Sequence, residues 1–181
     1  MHTIRPLYAW EIREAQRVFA ERLNYDSVRV HENASWPDTV HKIGSWLKRT
    51  PYDDVPNAIT LGNHCYFPVK LLESPVSPDH PEHYKICWLM HELTHAWQYQ
   101  HLGWRYLPMT LDTQLRKGTE AYDFGGEAGL FVSHNKGKRL ADFNLEQQGD
   151  IARTYYDVLA RRGNGGAWLP FIQEFQGKES V

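Results

Sequence analysis

The chain has 181 residues, of which 41% are hydrophobic and 23% are charged, and its formal net charge is −2. These values are typical of a globular protein and exclude a disordered or membrane-spanning composition. A chain so close to neutral has no overall field to attract phosphate backbones or anionic lipids, so we expect neither nucleic acid nor a membrane as a partner. The length fits one domain, and we predict a single unit over residues 1–181.

The cysteine content and the N-terminal residues bear on the compartment. Cys65 and Cys87 are the two cysteines, too few for a disulfide framework, so a reducing compartment is expected. The first residues contain no uninterrupted apolar stretch of the kind found in secretory signal peptides. We therefore expect synthesis in the cytoplasm without a recognisable signal, which leaves open export by a route that needs none.

The first third of the chain predicts two helices and a strand. Apolar residues recur at helical spacing over residues 9–22, which indicates an amphipathic helix. The alternation from Ser27 to His31 is typical of a half-buried strand. Residues 40–49 predict a shorter helix that ends before Pro51.

The next segment predicts paired strands followed by a loop. Residues 57–67 are β-prone on both sides of a Gly62-Asn63 turn signal, which indicates a hairpin or a bulged strand. The part from Thr60 to Tyr66 is a candidate edge strand for an extended substrate backbone, or an ordinary strand of a sheet. The prolines of residues 73–81 indicate a loop.

A central helix is predicted between Pro81-Glu82, which suit a first turn, and Gly103, which suits a C-terminal cap. Its expected buried stripe consists of Ile86, Met90, Leu93 and Trp97. Repeated glycines predict irregular structure over residues 104–140. A last long helix is predicted from about residue 142 to residue 162, ending before Gly163.

The central helix contains the sequence His91-Glu92-Leu93-Thr94-His95, an H-E-x-x-H motif. Four residues make just over one helical turn, so both imidazoles project from the same side and can share one metal ion. Glu92 is beside this pair but not in line with it, which suits a general base better than a third ligand. The pattern predicts a zinc site with Glu92 as the base.

The last helix carries Glu146-Gln-Gln-Gly-Asp150, an E-x-x-x-D motif. Together the two motifs resemble those of the gluzincin zinc peptidases. The resemblance implies that Glu146 is the third ligand and that Asp150 orients His91 through its other ring nitrogen. Other candidate ligands are Glu120, Glu127 and Cys87, and a charged stripe on a solvated helix face is the alternative explanation of the second motif.

Three longer segments carry a closer resemblance: Leu23 to Glu32, His91 to Gln100, and Phe143 to Asp150. They are similar to metallopeptidase domains associated with type VI secretion spike proteins of the Vgr type. Such domains act as antibacterial or host-directed toxins, so the resemblance implies a secreted effector, delivery by a contractile injection system and a secretion-apparatus partner.

Further polar residues are candidates for supporting roles. Tyr122 and His134 could each donate a hydrogen bond to a developing oxyanion, although a structural role is the alternative for both. Gln98, Gln147 and Gln148 are expected to close polar networks near the metal, without a catalytic role.

The sequence therefore predicts an α+β domain that is mainly helical, with a small sheet at one side. One zinc ion per chain is expected between the central and last helices, with His91, His95 and Glu146 as its ligands. The predicted reaction is hydrolysis of a peptide bond in a protein or peptide substrate. The alternatives are a zinc-dependent cell-wall amidase and a catalytically idle zinc-binding domain of a secretion assembly.

Overall fold

The computed structural model describes residues 1–34, 58–105 and 123–178. Five α-helices and one small sheet form these parts of the chain, which confirms the predicted α+β class with helices dominating. The helices are α1 (Ala9–Phe19), α2 (Tyr84–Leu102), α3 (Gly126–Asn135), α4 (Leu145–Arg162) and α5 (Leu169–Phe175). The strands are β1 (Thr3–Arg5), β2 (Arg29–Glu32), β3 (Ile59–Leu61) and β4 (His64–Tyr66).

The sheet has the strand order β1-β2-β4-β3, so within the described residues β3 lies at one end of it. β3 and β4 pair antiparallel around Gly62, whose φ of +63° suits the turn, and this confirms the predicted hairpin. β2 runs parallel to β4 and antiparallel to β1. The candidate edge strand is wrong for Tyr66, because β4 lies inside the sheet, while for Thr60 on β3 the pairing with a substrate stays a prediction.

A buried ion-pair network joins the sheet to the start of α1. The guanidinium of Arg5 donates to both carboxylate oxygens of Glu11, at 2.7 and 2.9 Å, and to Glu32 at 2.9 Å. Glu11 also accepts from the backbone N–H of Tyr8, which satisfies a free donor of the first helical turn. Because the two buried carboxylates share one guanidinium, removing Arg5 would leave two buried charges without a counter-ion.

Helices α2 and α4 pack against each other over much of their length and bring the two sequence motifs together. Asn144 caps α4 by accepting from the backbone N–H of Gln147 at 2.9 Å, while the Gln147 side chain accepts from the backbone N–H of Asn144. Gly163 ends the helix with a φ of +74°. The predicted end before Gly163 is confirmed, and the predicted start is three residues early because Asn144 is the cap.

Other boundaries differ from the predictions. Helix α1 ends at Phe19 and not at residue 22, because Ala20 adopts a φ of +47°. The strand predicted from Ser27 begins at Arg29, since Tyr25–Ser27 form a short 3-10 turn. The helix predicted over residues 40–49 lies outside the described residues.

The region predicted to be irregular contains a helix, α3, and this part of the prediction is wrong. Two of its glycines are needed where the helix begins. Gly125 has a φ of +84°, and a side chain on Gly129 would meet the carbonyl oxygen of Phe124 at 2.7 Å. Helix α5, after Gly163, was not predicted. Its Phe171, Ile172 and Phe175 are fully buried.

The stripe predicted for the central helix is buried at Ile86, Met90 and Leu93. Trp97 is only partly buried, and its ring packs against His101 and Phe175. No helix of residues 1–34, 58–105 or 123–178 is both long enough and apolar enough to cross a membrane.

Candidate metal centre

Three side chains from the two motifs converge between α2 and α4, and we call His91, His95 and Glu146 the His91 group. The Nε2 atoms of His91 and His95 are 3.2 Å apart. The Oε2 atom of Glu146 lies 3.3 Å from the first of these nitrogens and 3.5 Å from the second. All three residues are buried, so Glu146 does not belong to a solvated stripe.

The outer nitrogen of each imidazole has its own hydrogen-bond acceptor. The Nδ1 atom of His91 lies 3.0 Å from Oδ1 of Asp150, and the Nδ1 atom of His95 lies 2.8 Å from Oε1 of Gln98. Asp150 is itself buried and pairs with Arg153 at 3.1 Å. With Nδ1 of each ring donating outward, the Nε2 atoms of both rings face each other and Glu146, and these are the nitrogens that a metal ion would bind.

Two glutamines fix the tautomer of His95. The amide nitrogen of Gln148 donates to the carbonyls of Leu140 and Phe143, which leaves its oxygen to accept from Gln98 at 3.0 Å. The amide nitrogen of Gln98 also donates to the carbonyl of Leu145. The oxygen of Gln98 must therefore accept, and the proton of His95 must reside on Nδ1.

The arrangement concentrates negative potential at one point. Burial opposes protonation of His91, but Asp150 and Glu146 outweigh it and raise the pKa of His91 to about 10. Burial likewise opposes ionisation of Glu146, but the two histidines lower its pKa. A proton on His91, or a metal ion in its place, offsets the negative charge of Glu146 at this spacing. The donor set of two nitrogens and one oxygen fits a zinc ion.

Gly149 makes room for the first histidine and was missed by the sequence analysis. A Cβ atom built on Gly149 would lie 2.7 Å from Cε1 and 2.8 Å from Nδ1 of His91. The ring therefore packs directly on the backbone of α4. The signal was present in the sequence, since a glycine inside a helix lowers its stability by about 1 kcal/mol and needs a packing reason.

Glu92 is buried and points toward the sheet side of α2. Its Oε2 atom accepts a hydrogen bond from the hydroxyl of Thr60 at 2.7 Å, and the same hydroxyl lies 3.2 Å from its backbone carbonyl. Thr60 lies on β3, so this strand positions the carboxylate of Glu92, whose negative charge acts to raise the pKa of His95. No sequence pattern distinguished Thr60 from its neighbours on the strand.

The other candidates are not gathered into the His91 group. Glu127 is exposed and pairs with Arg162 at 3.0 Å. Cys87 lies with His83 and Asp157 at a different level of the helix pair. His134 is exposed on α3, with its ring near Phe171. Glu120 and Tyr122 lie outside the described residues, so their predicted roles stay predictions.

The predicted glutamines have different functions. Gln98 and Gln148 form the buried network behind His95, as described above. Gln147 instead caps α4 and donates to the backbone carbonyl of Asp123 at 2.6 Å. The expected polar network near the group is therefore found for two of the three.

The fold and the site together define the class of the protein. It is an α+β domain in which a helix with an H-E-x-x-H motif packs on a helix with an E-x-x-x-D motif. The type VI secretion system spike protein VgrG2b of Pseudomonas aeruginosa is 31% identical over 153 residues, which are 84% of this chain and 13% of that protein. A solved structure of the effector domain of VgrG2b has a TM-score of 0.57 and 26% identity, covering 90% of this chain and 79% of that one.

These similarities in sequence and structure show that the chain is a homologue of the VgrG2b effector domain. The matched region is a small part of the spike protein's length, so the properties of the whole spike protein do not transfer with it. No protein-family model matches the chain.

Proposed function

We propose that this chain is a zinc metallopeptidase in which His91, His95 and Glu146 hold the metal and Glu92 is the general base. The observation that carries the proposal is the convergence of three buried ligand atoms within 4.8 Å of one another. The two rings and the carboxylate present their ligand atoms to one another in a buried setting, and the proton that His91 holds occupies the place that a metal ion would take. This arrangement suits a cation held by all three side chains.

The residues around the ligands have separate tasks. Asp150 and Gln98 hold the two rings so that each Nε2 atom points inward, which reduces the rearrangement needed on metal binding. Zinc, when bound, acts as a Lewis acid that polarises a carbonyl group and lowers the pKa of water to about 7. The chain itself must then supply a base that accepts a proton from this water at neutral pH.

Glu92 meets that requirement. Its carboxylate follows His91 directly in α2, and the hydroxyl of Thr60 fixes Oε2 at 2.7 Å. We propose that Glu92 accepts the proton of the attacking water and passes it to the leaving amine nitrogen. Because the hydroxyl of Thr60 donates to Oε2 of Glu92, the other carboxylate oxygen is the one that accepts the proton.

Substrate binding is proposed along β3. Within the described residues this strand lies at one end of the sheet, and it carries Thr60 next to Glu92. An extended peptide that adds to the sheet at β3 would bring its backbone past the carboxylate. This mode of binding favours a peptide over a small amide.

We also propose that the chain is a secreted effector delivered by a type VI secretion apparatus. The support is its homology to the effector domain of a type VI spike protein. Attacker cells that carry the parent chain should outcompete target cells, and attackers that carry Glu92→Gln should not. Equal competition by both strains would contradict an enzymatic effector.

The activity itself is tested by incubating the purified chain with a protein library and, separately, with purified peptidoglycan. We expect new peptide N-termini from the library, their loss on treatment with a chelator, and their return when zinc is added. Release of peptides from peptidoglycan alone would identify an amidase. Retained zinc without turnover on either substrate would identify an idle zinc-binding domain.

A further inference from the structure

A second set of metal-ligating side chains lies at the other end of the same helix pair. We call His83, Cys87 and Asp157 the His83 group; their ligand atoms lie within 4.8 Å of one another. The backbone N–H of Cys87 donates to the carbonyl of His83, so the two side chains lie one helical turn apart. Asp157 faces them from the C-terminal half of α4.

His83 is the unusual member of this group. It is 3% exposed, and neither of its ring nitrogens has a hydrogen-bond partner in the described parts of the chain. Its Nε2 atom lies 3.2 Å from Oδ1 of Asp157, but the contact does not have the geometry of a hydrogen bond. Buried polar atoms are almost always paired, so an unpaired imidazole in a closed setting needs a reason. A lone pair donated to a metal ion is such a reason.

The protonation states suit a ligand set. Burial lowers the pKa of His83, although Asp157 opposes the effect, so the ring is neutral at pH 7 and can donate a lone pair. Burial raises the pKa of Cys87 to about 12, so the thiol keeps its proton until a metal ion displaces it. The nearby cations are Arg161, which lies 2.9 Å from Asp157 and also pairs with Asp79, and Arg153.

We propose that His83, Cys87 and Asp157 form a second metal site, which takes a divalent ion of borderline softness such as Zn²⁺. One imidazole nitrogen, one thiolate and one carboxylate are a donor set that zinc accepts in tetrahedral geometry. The thiolate and the carboxylate together balance the charge of the ion. When the sulfur–metal bond forms, the thiol proton passes to solvent, and no oxidant or reductant is needed.

The position of the site indicates a structural role. His83 and Cys87 are buried, and Asp157 has a side chain that is 35% exposed, so the ion enters from the side of Asp157. A bound ion would tie the start of α2 to the C-terminal half of α4. This site is independent of the proposed peptidase activity, because it shares no residue with the His91 group.

Cobalt provides a probe that separates the two groups. A thiolate bound to Co²⁺ gives a charge-transfer absorption in the near ultraviolet, and the His91 group contains no sulfur. The full chain, reduced and freed of metal, should develop this absorption on titration with Co²⁺. Cys87→Ser should abolish it, and Cys65→Ser, which removes the other buried thiol, should leave it unchanged.

Further variants keep the test decisive. If Cys87→Ser does not fold, Asp157→Asn, at the more exposed position, should weaken the Co²⁺ affinity measured from the same absorption by about 10-fold or more. His91→Ala should leave the absorption intact, so the result does not depend on the proposed function. The proposal is overturned if the parent chain shows no thiolate absorption, if the absorption survives Cys87→Ser, or if Asp157→Asn binds Co²⁺ as the parent does.

Discussion

The two ends of the α2–α4 interface carry similar side chains in different settings. In the His91 group, the outer nitrogen of each ring already has an acceptor, Asp150 or Gln98. In the His83 group, neither nitrogen of His83 has a hydrogen-bond partner in the described residues. The rings of the first group are thus oriented by hydrogen bonds before any ion binds, while the ring of His83 is held by burial and by stacking on Tyr156.

This difference predicts an order of affinity. The His91 group should bind zinc more tightly, and an ion in the His83 group should be the first to leave during stepwise chelation. The predictions that follow test what holds the first group together, from the largest expected effect to the smallest.

Removal of a ligand should have the largest effect. Glu146→Ala deletes the carboxylate that faces both imidazoles, and we expect zinc affinity at the His91 group to fall by more than about 100-fold, since changes behind the ligands typically cost about 10–100-fold. Glu127→Ala is the matched control, because Glu127 pairs with Arg162 at the surface. Competition with a fluorescent zinc chelator measures both. Equal affinity of Glu146→Ala and the parent would exclude Glu146 as a ligand.

Gly149→Ala should have the next largest effect. The new methyl group would meet the ring of His91 below 3 Å, so the ring must leave the position in which it faces Glu146 and Asp150. We expect zinc affinity to fall by about 10–100-fold although alanine favours the helix by about 1 kcal/mol. Thr154→Ala, a half-buried position of the same helix, should leave zinc binding unchanged. An undiminished affinity in Gly149→Ala would show that His91 does not need this close packing.

Substitution of Asp150 and of Gln98, which accept hydrogen bonds from the two imidazole rings, should have different effects. Asp150→Asn replaces a charged acceptor by a neutral one, and we expect a loss of zinc affinity of about 10-fold or more with little change in folding. Gln98→Met leaves both the oxygen of Gln148 and the Nδ1–H of His95 unpaired, which should lower the free energy of unfolding by about 1–3 kcal/mol for each buried group, in addition to weakening zinc binding. Urea denaturation and zinc competition on both variants measure this contrast. If Asp150→Asn binds zinc as the parent does, the orienting role of Asp150 is wrong.

Much of the His91 group could be predicted from the sequence because its geometry is mostly local. His91 and His95 lie one turn apart in any helix, and Asp150 follows Glu146 by the same spacing. The hydrogen bond from Thr60 to Glu92 depends on how β3 packs against α2, a contact between distant parts of the chain that no local pattern encodes. Helix α3 was missed for the opposite reason, since its glycines are needed for close packing but also disrupt the helical pattern.

The smallest effect concerns a third histidine cluster, on the sheet. Burial, with His64 and His2 nearby, lowers the pKa of His31 to about 4. The folded pKa is below that of the unfolded chain, so the unfolded chain binds more protons between pH 6.5 and 4 and stability falls as the pH falls. We expect a loss on the order of 1 kcal/mol between pH 7 and 5, kept small because the neighbouring His2 and His64 are exposed.

His31→Phe should reduce this pH dependence, while His134→Phe, which changes an exposed ring on α3, should not. Thermal melting at several pH values measures the slope for each variant. An unchanged slope in His31→Phe would show that His31 does not titrate in this range.

The paired measurement of zinc content and hydrolysis in Glu92→Gln tests the central claim most directly. The amide keeps the size of the carboxylate and can still accept from Thr60, but it cannot take a proton. We therefore predict unchanged zinc content and melting temperature, together with a loss of cleavage rate of about 10²–10⁴-fold on any substrate that the parent accepts. Loss of zinc from Glu92→Gln, or full activity in the presence of zinc, would contradict the role of Glu92 as general base.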